Sequence, residues 1–363
     1  MKLSELVRLF RDFGQNRGTR PRRRMSLRPD DNDLEEAAPM KSLTRLLLCA
    51  AAALVPVAAS AQAYPSKPVR LIVPFPAGGP SDLFARVLAQ GMSANLGQPV
   101  IVENKAGVGG VLGVDTVAKA PPDGYTLALN SGSAVAIAPF SMDKMPYDPK
   151  KDLALITMVV RVPEVLAVHP SVPAKSLTEL VAYAKANPGK INFGSAGAGS
   201  ITHLAGELLN AEANIKLVHV PYKGAAPAVN DLLGGQVQMA ILDVPVLLPH
   251  IRAGTLRALA VTSANRTPTL PEVPTTVELQ YPKVISDNWY GLVAPAATPP
   301  EILKRIHTAA LVALRSPELI EQYAKVSAVA SPSSPAEYAA FVDAEQAKWG
   351  PIVKAIGFKQ AQQ

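Results

Sequence analysis

The 363-residue chain is poor in the residues that carry redox, metal and covalent chemistry: it has one cysteine, Cys49, and only 5% aromatic residues. A single thiol cannot build a disulfide framework or a cysteine-rich metal site. The five histidines, His169, His203, His219, His250 and His307, show no H-x-x-x-H spacing, and H-E-x-x-H is absent. A histidine metal site therefore has no support, and no cofactor is expected. The phosphate loop G-x-x-x-x-G-K-[ST] and the nucleophile elbow G-x-S-x-G are also missing. Long apolar runs are missing too. The longest candidate, Leu46 to Ala59, has 14 residues and contains Pro56, short of the roughly 20 that cross a bilayer.

What that run does resemble is the core of a secretory leader. Lys41 and Arg45 precede it, and Ala61-Gln62-Ala63 follows as a small-x-small cleavage site. Residues 40–63 are read as a signal peptide cleaved after Ala63, and residues 1–39 as a disordered upstream extension from a start assigned too early. A twin-arginine signal at "RRRMSLR" is the rival reading, but an acidic polar stretch follows where an apolar core belongs. Cys49 lies in the leader core, so the mature chain has no thiol.

Residues 1–63 together also carry most of the charge excess. The whole chain is +7, but beyond residue 63 there remain 25 basic and 22 acidic residues. The "RPRRR" cluster lies in the removed part, and no basic stripe interleaved with aromatics remains. Nucleic acid is excluded as a partner on that ground. A soluble, exported, monomeric product is expected.

Short β-branched runs ("VRLIVPF", "PVIVEN", "YTLALN", "KINFGS", "QVQMAIL", "YGLVAP") alternate with helical patterns. This is the pattern of an α/β protein. Helix starts are marked at Ser176-x-x-Glu179, Thr298-Pro-Pro-Glu301, Ser316-Pro317 and Ser334-Pro-Ala-Glu337. The spacing in "SDLFARVLA" places Leu83, Val87 and Leu88 on a buried stripe. The C-terminal helix is expected to be interrupted near Gly350-Pro351. Segments around Val159 to His169 and Ile285 to Pro295 read as two crossings between lobes.

The stretch "NFGSAGAGSITHLAGELL", Asn192 to Leu209, ends a strand, turns on three glycines and opens a helix capped by Ser200. Amide hydrogens at such a start favour an anion, and glycine lets a ligand approach the backbone. "VPFPAGGPSD", "LNSGSA" and "VPYKGAAPAV" repeat the construction. In open α/β sheets, ligands bind outside the carboxyl ends of the strands, where these loops lie. Individual residues leave alternatives. Phe75 either lines a pocket or closes a core, and Asp82 is a helix-start acid or a ligand contact. Lys223 attracts a carboxylate or is a solvated turn residue. Asp243 meets a ligand cation or caps the next helix. Ser200 and His203 raise an exported serine hydrolase or transferase as a competing function.

"YPSKPVRLIVPFPAGGPSD", "LGQPVIVENKAGVGG", "PYDPKKDLALIT", "NPGKINFGSAGAGSITHLAGE", "VHVPYKGAAPAVNDLLGGQVQM" and "YGLVAPAATPPEI" strongly resemble the Bug-type extracytoplasmic receptors of tripartite tricarboxylate transporters. The resemblance runs from about Tyr64 to the C-terminus. It implies a two-lobed type 2 periplasmic-binding-protein fold, each lobe a mostly parallel sheet flanked by helices, with two crossing hinge strands. Residues 64–163 with 289–363 would form one lobe, and 164–288 the other. It further implies a receptor, not an enzyme, that encloses a small carboxylate and delivers it to membrane permease subunits. A sensory role is the alternative. The ligand residues it implies are Phe75, Ala77, Gly78 and Asp82 in the first loop, Ser131 and Ser133 in the second, and Ser195, Ala198 and Ser200 in the third. Gly199, Lys223, Gly224 and Asp243 join them from the reading of the loops. Many relatives place an acid where Leu242 stands here, which leaves open whether the ligand is an amino acid, an aromatic acid or a di- or tricarboxylate.

Overall fold

The computed structural model describes residues 64–359; the leader and the upstream segment expected at 1–63 lie outside the described residues. Two α/β lobes share one long strand. In chain order the strands are β1 Val69–Val73, β2 Val100–Asn104, β3 Thr126–Ser131, β4 Leu153–Val168, β5 Asn192–Ser195, β6 Val218–Pro221, β7 Met239–Asp243, β8 Arg257–Val261, β9 Asp287–Pro295 and β10 Val329–Ala330. The α-helices are α1 Pro80–Leu96, α2 Val111–Ala118, α3 Ala138–Ser141, α4 Leu177–Ala186, α5 Ile201–Ala213, α6 Ala225–Leu233, α7 Val244–Arg252, α8 Pro300–Leu314, α9 Pro317–Ala324 and α10 Pro335–Ile356.

The strand order is β2-β1-β3-β9-β4-β7-β5-β6, with β8 and β10 also pairing with β4. β2-β1-β3 and β6-β5-β7 are parallel, as strand–helix–strand units require. β9 and β4 run antiparallel to their neighbours. The 16-residue β4 pairs with β9 over Leu153 to Pro163, then with β7 from Glu164 and with β8 from Val165 to Val168. Both sheets thus meet on one strand, and the chain returns beside it on β9.

Strands buried on both faces read as apolar runs, as Met239 to Leu242 do in β7. One core packs Leu71, Leu127 and Leu292 under Phe84, Leu88, Ile306 and Tyr323; another packs Val165 and Leu242 under Val229, Leu232 and Leu247. A third joins Phe193 and Leu204 to Trp289, Trp349 and Val353 on α10. Glu345 of α10 accepts from both indoles, Trp289 Nε1 at 2.9 Å and Trp349 Nε1 at 3.1 Å.

Local signals set most helix starts. Ser176, Ser200, Ser316 and Ser334 each accept from the backbone N–H three residues on. Three expectations need correction. α8 starts at Pro300 with Pro299 as its cap, and the Thr298 hydroxyl instead donates to the Pro295 carbonyl. Thr298 and Pro299 both precede prolines, which push them out of the helical region. On α1 the buried stripe is Phe84, Leu88 and Met92, while Leu83 is partly exposed. α10 runs unbroken through Pro351, because Trp349 and Val353 on either side of it are held in one core.

Candidate functional site

The loops after β1, β3, β5, β6 and β7 meet at one cavity. It is lined by Phe75, Pro76, Gly79, Pro80, Ser81, Ser133, Ala196, Ser200, Ile201, Thr202, Ala225, Asp243, Asn288 and Tyr290. Its free volume is about 20 Å³, room for about one water. Loops of the two sheets touch around it. The Ile201 N–H donates to Ser133 Oγ at 3.2 Å, and a Cβ placed on Gly224 would lie 2.5 Å from Pro76 Cδ.

Three helices start on this cavity: α1 at Pro80 and Ser81, α5 at Ile201 and Thr202, and α6 at Ala225. The first N–H groups of a helix have no acceptor within it, and its dipole is positive there. No lysine, arginine or histidine is among the lining residues. The site is a frame of amides and hydroxyls suited to a negative group that needs no chemistry done to it.

The structure brings Phe75, Ser133, Ser200 and Asp243 to the lining. The Phe75 carbonyl accepts from Asn104 Nδ2 at 3.0 Å, while its ring packs within contact distance of Gly110. Ser200 Oγ donates to the Gly197 carbonyl at 2.6 Å and accepts the His203 N–H at 3.2 Å. Asp243 stands at the N-cap position of α7 with no side-chain capping bond, and accepts from Tyr290 Oη at 2.6 Å and Asn288 Nδ2 at 3.0 Å. Burial pushes its carboxyl up to about 6, against the pull of those donors.

The other expected residues stand outside the lining. Ala77 and Gly78 form the exposed tip of the first loop. The Gly78 N–H donates to Asp82 Oδ2 at 3.1 Å, and Asp82 also holds Arg86 Nη2 at 2.9 Å and Asn104 Nδ2 at 3.0 Å. Burial raises the Asp82 carboxyl, but these donors outweigh it and hold the group below the usual carboxylate range. Asp82 thus braces the loop from behind. Ser131 is buried beside Tyr290 across the β3–β9 ladder, its Oγ without a hydrogen-bond partner.

Ser195 is fully buried, its Oγ 2.6 Å from His219 Nε2. Gly199 takes the left-handed φ of 74° and donates its N–H to His203 Nδ1 at 3.2 Å. Ala198 lies between them, half-buried, in the same turn. Lys223 is exposed, next to the buried Gly224. The serine–histidine pair raised by the sequence does not form. His203 Nδ1 is occupied by the Gly199 amide, and Ser200 Oγ points at a carbonyl, so no base faces the hydroxyl.

Sequence reasoning missed Asn288 and Tyr290, which enter from β9, and Ser81 and Thr202 at helix starts. Two polar residues inside an apolar crossing strand were the available signal for the first pair. Glu164, which faces Asp243 across β4 and β7, was missed as well.

Comparison with known proteins agrees with this geometry. Residues 84–358 match the model of the tripartite tricarboxylate transporter family receptor. The chain is 41% identical over 323 residues to Protein BugT of Bordetella pertussis, covering 88% of this chain and 99% of that one. The structure of the periplasmic binding protein BugD superposes with a TM-score of 0.79 at 36% identity, covering 82% of this chain and 100% of that chain. Rpa4515 of R. palustris with adipate gives 0.79 at 34%, covering 82% and 99%. MatC of Rhodopseudomonas palustris with bound malate gives 0.76 at 31%, covering 80% and 100%. These are binding proteins, not enzymes, and this solute-binding chain belongs to the tripartite tricarboxylate transporter receptor family.

Proposed function

We propose that the protein is a periplasmic receptor that captures a small carboxylate in the cavity and delivers it to the membrane permease subunits of a tripartite transporter. One observation carries this reading: three helix N-termini and the hydroxyls of Ser133, Ser200 and Thr202 converge on one cavity whose lining residues include no cationic side chain. Relatives solved with adipate and with malate support the ligand class. In this reading residues 40–63 export the chain and are cleaved after Ala63. Among the described residues no helix is long and apolar enough to cross a membrane.

The division into lobes at 163/164 and 288/289 belongs to the same proposal. A cavity of about 20 Å³ cannot admit a dicarboxylate without opening. The lobes part about β4 and β9, admit the ligand and close on it through contacts from both sides. Ser131, with an unpartnered hydroxyl, is a second-row anchor that a ligand of the right length reaches as the cleft opens.

A thermal-shift screen of dicarboxylates, tricarboxylates, amino acids and aromatic acids tests the assignment. A ligand at 100 times its dissociation constant adds about 2.7 kcal/mol, roughly 4 °C for a chain of this size. Flat melting curves across the screen with ligand-stripped protein would count against it.

A further inference from the structure

The cavity sets a buried acid inside a frame that favours anions. Among its lining side chains the ionisable groups are Asp243 and Tyr290. Directly across the β4–β7 ladder from Asp243 stands Glu164, fully buried, with Oε2 accepting from Ser286 Oγ and Oε1 without a hydrogen-bond partner. Cross-strand partners share a face, so two carboxyl groups back onto the site where a bound carboxylate would place a third negative group.

Neighbouring charges do not neutralise them. β9 adds Asp287, which is itself raised by burial; the cations felt there are Arg161 on β4 and Lys348 on α10, with Glu345 of α10 opposing them. From α1 come Ser81 and an Asp82 already paired to Arg86. From α5 comes His203, its Nδ1 engaged with Gly199. The first turns of α6 and α7 carry no acidic residue, the exposed Lys223 precedes α6, and the basic residues of α7, His250 and Arg252, lie in its last turn. Carboxyl groups that share a dry site retain a proton, because burial and mutual repulsion both disfavour the second charge. Burial first, then the Asp243 charge, raises Glu164 well above the ordinary range.

We propose that the cleft takes its carboxylate together with one proton from solvent, held by Asp243 and offered to the bound carboxylate as a hydrogen-bond donor, with Glu164 protonated behind it. This rests on the carboxylate-receptor reading. It explains how a pocket with no cationic side chain in its lining binds an anion beside an acid: the acid arrives neutral, and one proton replaces the missing cation.

Calorimetric titration with adipate and with malate at about pH 5.5, 7 and 8, each in two buffers of different ionisation heat, reads affinity and proton uptake together. The expected result is close to one proton taken up at the highest pH and few at the lowest. Affinity should weaken about tenfold per pH unit once Asp243 is ionised. Asp243→Asn should abolish both the slope and the uptake. Glu164→Gln, which still accepts from Ser286 and imitates the neutral acid, should retain both. If Asp243→Asn does not fold, the buffer-dependent heat of the unaltered protein decides. Binding with flat affinity and no proton uptake overturns the proposal. No heat from either probe at any pH, with flat melting curves across the wider carboxylate screen, strikes the carboxylate-receptor reading instead, and the proton coupling falls with it.

Discussion

A single methyl group added at Gly224 should hold the cleft open. The Gly224 backbone is extended, with φ of 166°, so alanine meets no conformational penalty there. The new Cβ would lie 2.5 Å from Pro76 Cδ and 3.0 Å from Pro76 Cγ, against the 3.5 to 4.0 Å, roughly, of a normal carbon contact. Relief requires the two loops to separate by about 1 Å, in a place where both are fixed by neighbouring contacts. Overpacking of this kind costs about 1–3 kcal/mol. Under the proposed closure only the closed form makes the contact, so the cost falls on ligand binding and not on folding. It converts to a loss of affinity of about 5- to 150-fold. Calorimetry with the carboxylate that responds most strongly in the screen would measure it, beside a melting curve of the ligand-free variant. An unchanged dissociation constant would refute the idea that ligand is held by closing these loops. A ligand-free melting temperature lowered by several degrees would show that the contact belongs to the resting fold.

Other consequences follow from individual residues. Asp243 has its carboxyl raised from 3.8 to about 6, so the folded chain binds the extra proton between those values and stability falls as pH rises through them; the full penalty above pH 6 is about 3 kcal/mol. Urea unfolding from about pH 4 to pH 7.5 should show this slope, and Asp243→Asn should remove the Asp243 share of it, leaving what the raised Glu164 and Asp287 carboxyls contribute. Ser200→Ala removes a helix cap and one of the three donors to the Gly197 carbonyl, where the Ser200 N–H and Ser195 Oγ remain; a loss of about 1 kcal/mol in the same assay is expected. Lys223→Ala should leave carboxylate affinity within about twofold, since an exposed charge outside the lining contributes little through water; a tenfold loss would put Lys223 in the site.

The parts of the fold that depend on neighbours in sequence were legible from it. Ser176, Ser316 and Ser334 cap their helices because a cap and its amide are three residues apart. Ser200 does the same, and the glycine turn before it was visible for that reason. The phase of α1 was not: Leu83 and Phe84 are both apolar, and only the position of the sheet beneath decides which is buried. The site was legible as a set of loops and illegible as a set of contacts. Asp82 stands at a helix start in a glycine loop, which suits a ligand group, yet Arg86, Asn104 and the Gly78 amide consume its oxygens. Glu164 lies in an apolar strand far along the chain from Asp243, and only the β4–β7 pairing puts the two acids side by side. Asn288 and Tyr290 escaped for the same reason, since the return of β9 beside β4 sets their direction.

The central claim is that amides at the starts of α1, α5 and α6 together grip the ligand's negative group. Backbone amide resonances followed during a carboxylate titration test it most directly. The account predicts that the Ser81, Thr202 and Ala225 amides shift downfield together and saturate at one dissociation constant. Saturable binding that leaves those three amides in place, and moves resonances elsewhere on the molecule, would contradict it.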